Sequence, residues 1–147
     1  MMTDLYDRYL QYPKICTDTR KIITGSLFFA LKGPHFNGNE FAKEALKKGA
    51  SYAIVDDELY AIDDRYILVK DALTTLQELA RFHRKELKCK VLGITGSNGK
   101  TTSKELCLQV LKKKYNTLAT CGNLNNHIGV PLSILSIGTD TEIAIIE

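Results

Sequence analysis

The chain has no apolar run approaching the length of a membrane span. Its opening residues, Met1-Met2-Thr3-Asp4, lack a cationic segment leading into a long apolar stretch, so no signal peptide is expected and the chain reads as cytoplasmic. Cysteine is sparse. Cys16, Cys89, Cys107 and Cys121 form no Cys-x-x-Cys pair and show no metal-ligand spacing. They read as small, partly buried apolar residues in a reducing compartment. Charge of one sign is not in excess either: 20 Lys and Arg against 17 Asp and Glu leave a net charge of +3. The densest basic run, Lys112-Lys113-Lys114, falls at the end of a predicted helix, where cations suit the dipole. No basic stretch is interleaved with aromatics, so no nucleic-acid partner is expected.

What is present is concentrated at residues 93–102, Gly-Ile-Thr-Gly-Ser-Asn-Gly-Lys-Thr-Thr. The run follows the apolar Lys90-Val91-Leu92 and precedes a helical pattern. A strand, a glycine-rich turn and a helix N-terminus together aim backbone N–H groups at one spot and attract phosphate. Gly96 and Gly99 let the backbone approach the anion without a Cβ in the way. Lys100 can reach the β- and γ-phosphates, and the Thr101 hydroxyl can ligate Mg²⁺. The general P-loop has four residues between its glycines; here only Ser97 and Asn98 separate Gly96 from Gly99. A chance Gly-Lys-Thr in a surface turn is the competing reading, and the flanking strand and helix argue against it.

A length of 147 residues suits one ordinary domain or two small ones. Two segments of different character are expected, 1–86 and 87–147. In the first, Ser26 to Leu31 is an apolar strand candidate bracketed by Gly25 and Gly33. Asn39 is a candidate N-cap for a helix through Lys48, with Phe41, Ala42, Ala45 and Leu46 as its apolar stripe and Gly49 at its end. Tyr52–Val55 and Tyr66–Val69 read as strands. Asp71 caps a longer helix in which Leu73, Leu76, Leu79, Ala80, Phe82 and Leu87 fall at helical spacing. In the second segment a strand at 90–95 feeds the phosphate turn. A helix from Lys100 to about Lys113 follows, with Leu106, Val110 and Leu111 apolar. Then come a strand at 116–120, a helix starting at Pro131 with Leu132 and Leu135 inward, and a strand at 142–147. Alternating strands and helices imply an α/β fold with parallel sheets. The last strand looks like an interior one with nothing after it, so the chain is expected to be an N-terminal piece of a longer protein.

Four further groups carry chemistry. Thr17-Asp18-Thr19-Arg20 combines hydroxyls with a fixed cation that can bind a diphosphate or a pyrimidine; the same residues make a self-satisfied turn, which spacing favours. Residues 32–39 form a turn-rich loop able to line a pocket, in which His35 alone says little. Residues 121–131 hold three Asn beyond a strand's carboxyl end, where ligands bind in open α/β sheets; an ordinary Asn-rich loop capping the next helix fits equally well. Glu147 ends the third strand on the same sheet edge as the phosphate turn. There it is either a Mg²⁺ ligand or an exposed strand-end carboxylate.

Together these segments resemble the Mur ligase family. Thr95-Gly96-Ser97-Asn98-Gly99-Lys100-Thr101-Thr102 matches that family's shortened P-loop. Gly122-Asn123-Leu124-Asn125-Asn126-His127-Ile128-Gly129-Val130-Pro131-Leu132 is most like members that join D-alanyl-D-alanine to UDP-N-acetylmuramoyl-tripeptide. Thr17-Asp18-Thr19-Arg20 and Gly25 to Gly33 resemble the family's UDP-binding N-terminal domain. The resemblance implies a small UDP-precursor-binding α/β domain followed by the start of a parallel-sheet P-loop ATPase domain. It implies an ATP- and Mg²⁺-dependent amide ligase of peptidoglycan precursor synthesis that works through an acyl phosphate. It also implies roles: Lys100 as catalytic phosphate clamp; Gly96, Ser97, Asn98, Gly99, Lys100, Thr101 and Thr102 around ATP; Thr101 and Glu147 on the metal; Thr19, Arg20, Asn125 and Asn126 on substrate. His127 and the 35–39 loop receive none. Another Mur-type ligase, or a non-catalytic nucleotide- or UDP-sugar-binding module, is the alternative. A P-loop kinase or GTPase fits the glycine spacing poorly.

Overall fold

The computed structural model describes residues 2–147. They divide into two compact units, one ending at Leu79 and one spanning Ala80–Glu147.

The first unit is built on a parallel sheet. Strands β1 (Lys14–Cys16), β2 (Ser26–Phe29), β5 (Tyr52–Val55) and β6 (Tyr66–Leu68) lie in the order β1-β2-β5-β6. Leu27 pairs with Tyr52 and Phe29 with Ile54. Consecutive residues Leu27, Phe28, Phe29 and Ala30 are all buried, as are Ala53, Ile54 and Val55, so both faces of the central strands are covered. This is why they read as continuous apolar runs rather than alternating ones. One face packs Phe28, Ala30, Ala53 and Val55 against Ala42, Ala45 and Leu46 of helix α2 (Ala42–Lys47). A short antiparallel pair, β3 (Lys32–Gly33) and β4 (Phe36–Asn37), projects from the carboxyl-end side.

Three features differ from expectation. Helix α1 (Met2–Gln11) and strand β1 precede the elements foreseen; the helical spacing of buried Leu5, Tyr6 and Tyr9 is the signal that places α1. Asn39 does not cap α2. Asn37 caps a 3-10 turn at Gly38–Phe41 instead, and the Asn39 side chain is buried. Cys121 is exposed rather than partly buried, while Cys16 and Cys89 are buried; all four thiols are free.

Helix α3 (Ala72–Glu86) contains the division between the units. Asp71 accepts the Thr74 N–H at its start, at 2.6 Å, as its capping role requires.

The second unit carries β7 (Lys90–Gly93), α4 (Lys100–Leu111), β8 (Thr117–Ala119), α5 (Gly129–Leu135) and β9 (Ile143–Ile146). The sheet order is β7-β9-β8, so the final strand is the central one, as its apolar run suggests. Ala144 packs with Cys89 and Ile137, bordered by Leu87, Leu118 and Ile146. Helix α5 begins at Gly129, two residues before Pro131; the proline still sits in the first turn, where a missing N–H costs nothing. Helix α4 buries Lys104, whereas its apolar Leu106 and Val110 are exposed. No helix among the described residues is long and apolar enough to cross a membrane.

Candidate functional site

Register brings the site together. Gly93 pairs with Ile146 and Ala119 with Ile145, so the carboxyl ends of β7, β8 and β9 open on one edge of the sheet. The chain leaves β7 into the loop 94–99, leaves β8 into the Asn-rich loop, and leaves β9 at Glu147. Carboxyl-end loops flanking a strand crossover are where open α/β sheets bind ligands.

Gly99 occupies the N-cap of α4 in the left-handed region, φ +75°, and no side chain caps that helix. Its first N–H groups are therefore left for an anion. The ammonium of Lys100 folds back and donates to the Gly96 carbonyl at 2.7 Å. A depression of about 340 Å³ is lined by Ser97, Asn98, Gly99, Lys100, Thr101, Thr102, Asn125 and Glu147. One wall is a carboxylate network. Thr101 Oγ donates to Glu147 at 3.1 Å, Asn125 Nδ2 donates to the same carboxylate at 3.0 Å, and the Glu147 N–H donates to Thr120 Oγ at 3.0 Å. Burial pushes the Glu147 carboxyl up. Hydrogen bonds from Asn125 and Thr101 and the nearby charges of Lys104 and Lys100 outweigh it and hold the group below its ordinary range.

The structure thus gathers Ser97 to Thr102 with Asn125 and Glu147. It turns Asn126 elsewhere: its Oδ1 accepts the N–H groups of Ile128 and Gly129, at 3.0 and 2.7 Å, and caps α5. Thr19 and Arg20 belong to the first unit. There Arg20 forks onto Asp18 at 2.7 Å, and the backbone N–H of Arg20 donates to the same carboxylate. The Arg20 guanidinium holds the Asp18 carboxyl at about 2. Arg20 is largely exposed, and the Thr19 carbonyl accepts from Lys48 at 3.1 Å. This is the self-satisfied turn that spacing favours, with the guanidinium face open to solvent.

Two residues at the hearts of these sites were not foreseen. Lys104 is 1% exposed and donates to the carbonyls of Thr120 and Gly122. Its place four residues after Lys100, on one helix face, is the signal that could have found it. Asp56 lies at the end of β5 and draws in Lys32, Asn39 and the Ala72 N–H. Residues 32–37 with Glu40 and Phe41 line an open depression of about 550 Å³, where Phe36 stacks on Phe41 at 5.2 Å.

Among the described residues no group of three or more His, Cys, Asp or Glu side chains is placed to hold a metal. The donors at the loop are instead one hydroxyl and one carboxylate, both hard oxygens, beside an anion cradle. That set fits Mg²⁺, which takes one or two protein oxygens and completes its shell with phosphate and water.

A glycine-rich loop leading into an uncapped helix start, a strand-end carboxylate beside it and a parallel sheet define an α/β protein with an anion-binding framework at the sheet's carboxyl edge. Family comparison agrees: residues 11–84 match the Mur ligase family, catalytic domain, and residues 94–147 match the Mur ligase middle domain. The chain belongs to the Mur ligase family. It is 43% identical over 135 residues to the UDP-N-acetylmuramoyl-tripeptide–D-alanyl-D-alanine ligase of Bacillus subtilis, covering 90% of this chain and 30% of that protein. Against the Escherichia coli ligase of the same name it is 40% identical over 151 residues, covering 99% and 33%. The crystal structure of MurF ligase from Thermotoga maritima in complex with ADP is similar with a TM-score of 0.81 and 37% identity, over 94% of this chain and 32% of that one. The chain spans about a third of the length of the curated relatives it matches.

Proposed function

We propose that this chain supplies the UDP-precursor-binding segment and the phosphate loop of a cytoplasmic, ATP-dependent ligase that joins D-alanyl-D-alanine to UDP-N-acetylmuramoyl-tripeptide. The observation that carries the reading is the convergence of Thr101, Asn125 and Glu147 on the uncapped start of α4. The relatives named above bear that activity in their names, and one of the similar structures holds ADP.

A free carboxylate resists amine attack because its carbonyl is electron-rich and its leaving group poor. In the reaction proposed, the tripeptide carboxylate oxygen bonds to the γ-phosphorus of ATP, the β–γ bridge bond breaks, and ADP leaves. The amine of D-alanyl-D-alanine then attacks the acyl phosphate carbon, loses a proton and expels phosphate. Mg²⁺, held by Thr101 and Glu147, would offset the repulsion between carboxylate and triphosphate. Lys100 leaves the Gly96 carbonyl and clamps the β- and γ-oxygens, so one charge-assisted bond replaces a neutral-acceptor one. The N–H groups from Gly96 to Thr102 hold the phosphate tail in line for transfer. Asn125 orients the Glu147 carboxylate by donating to Oε1, the oxygen that Thr101 also reaches. Thr19 and Arg20 present a hydroxyl and a free guanidinium face to the uridine diphosphate. The division of labour proposed is a first domain over 1–86 for the UDP precursor and a second over 87–147 for ATP.

The test is a joining assay on the whole protein that carries this chain. UDP-N-acetylmuramoyl-tripeptide, D-alanyl-D-alanine and Mg·ATP should give a UDP-pentapeptide with one ADP and one phosphate per bond. Product with a different amine, and none with D-alanyl-D-alanine, would assign the chain to another Mur-type ligase.

A further inference from the structure

Lys104 is the most deeply buried charge in the second unit among the described residues, at 1% exposure. A lysine in that position costs several kcal/mol of desolvation unless its donors are matched. They are. Nζ donates to the Thr120 carbonyl at 2.8 Å and the Gly122 carbonyl at 3.2 Å, and lies 3.7 Å from Glu147 Oε2. A fourth neighbour, Glu105 Oε1 at 3.4 Å, belongs to a half-exposed side chain.

These contacts join three separate pieces of backbone. Lys104 is one turn along α4 from Lys100 and Thr101. Thr120 and Gly122 open the loop that carries Asn125. Glu147 closes β9. The ammonium therefore fixes the spacing of the segments that deliver the hydroxyl, the amide and the carboxylate to the phosphate loop. Apolar packing on α4 is only partial: Cys107, Leu108 and Leu111 are half-buried, while Leu106 and Val110 are exposed.

We infer that Lys104 is a positioning residue: it pins the Glu147 carboxylate and the Asn125 loop against the phosphate-loop helix in the geometry that accepts a divalent cation beside nucleotide. This rests on the reading of Thr101 and Glu147 given above. The neighbours of Lys104 Nζ are protein oxygens of Thr120, Gly122, Glu105 and Glu147, and its effect on the cation runs through Glu147.

Charge alone and positioning predict opposite signs. An ammonium beside a carboxylate competes with a cation, so removing it for charge reasons would tighten Mg²⁺. Removing a group that orients a metal ligand instead loosens Mg²⁺, by about 10- to 100-fold.

The experiment is calorimetric titration of the whole protein with AMP-PNP, with Mg²⁺ and with EDTA, for wild type, Lys104→Met and Lys104→Gln. The ratio of the two affinities reports the metal. Wild type should bind much more tightly with Mg²⁺. Lys104→Met should lose at least about tenfold of that gain, with its affinity in EDTA little changed. Lys104→Gln, which keeps an N–H donor for the Thr120 carbonyl, should recover part of it. A Mg²⁺ gain in Lys104→Met equal to or above that of wild type overturns the inference alone. A wild type indifferent to Mg²⁺ overturns the metal reading beneath it, and the inference with it. Loss of the fold in both variants, followed by thermal melting, also overturns it, because the lysine would then serve the fold only.

Discussion

Asn39 and Asp56, 17 positions apart, are tied by a reciprocal pair of hydrogen bonds: Asn39 Nδ2 donates to Asp56 Oδ1 at 2.8 Å, and the Asp56 N–H donates to Asn39 Oδ1 at 3.1 Å. Lys32 Nζ adds an ion pair at 2.8 Å and the Ala72 N–H a bond at 3.2 Å. The Asp56 side chain is 5% exposed, so truncation takes the acceptor from the Asn39 amide and the Ala72 N–H, while half-exposed Lys32 turns to water. Asp56→Ala should therefore destabilise the protein by about 3 kcal/mol in urea unfolding. A change within about 0.5 kcal/mol would mean that water replaces the carboxylate without loss.

The same residue sets a pH dependence. Burial pushes the Asp56 carboxyl up, but Lys32, Asn39 and the Ala72 N–H outweigh it and hold it below its ordinary value of 3.8. A carboxyl depressed in the folded state stabilises the protein above its unfolded value, and that contribution is lost as pH falls through the folded value. The urea midpoint should drop as pH falls below 3.8. Asp56→Asn should flatten that acid limb while lowering stability near neutrality.

Gly38 sits where the chain turns back on the end of β2. A Cβ there would lie 2.3 Å from the Leu31 carbonyl oxygen and 2.7 Å from the Ala30 carbonyl carbon, both backbone atoms that cannot swing away. Gly38→Ala should cost about 2 kcal/mol or more by forcing the 38–41 turn outward. Circular dichroism melting measures it, and an unshifted midpoint would show that the turn yields freely.

The glycine-rich turn between β7 and α4 is legible in the sequence because its signal is local: glycines, a lysine and a hydroxyl within ten consecutive positions, between a strand and a helix. The parallel architecture is legible too, since strands covered on both faces keep continuous apolar runs such as Leu27–Ala30. Residues whose partners lie far along the chain are not. Lys104 meets Thr120 and Glu147, and Asp56 meets Lys32, Asn39 and Ala72; the spacing from Lys100 marks the helix face of Lys104 but not these partners. Asn39 and Asn126 show the converse: each sits beside a helix start, yet one caps nothing and spans to Asp56, while the other caps α5. Short-range sequence offers both roles to an Asn, and the tertiary partner decides.

Lys100→Ala in the whole protein should abolish most turnover, by about 10³-fold, while the melting temperature stays near that of wild type. Among the described residues the Lys100 side chain makes one hydrogen bond, to the Gly96 carbonyl of its own exposed loop, so little folding energy rides on it. Steady-state release of ADP coupled to peptide joining provides the measurement, and near-normal rates would contradict its role as clamp.

The most direct measurement is a crystal structure of the whole protein with Mg²⁺ and a non-hydrolysable ATP analogue. The phosphate tail should lie within hydrogen-bond reach of the N–H groups from Gly96 to Thr102. Lys100 Nζ should have moved from the Gly96 carbonyl to the β- and γ-oxygens, and a metal should sit between Thr101 Oγ and the Glu147 carboxylate. Nucleotide bound elsewhere, with Lys100 still on Gly96 and Thr101 still on Glu147, would contradict the account.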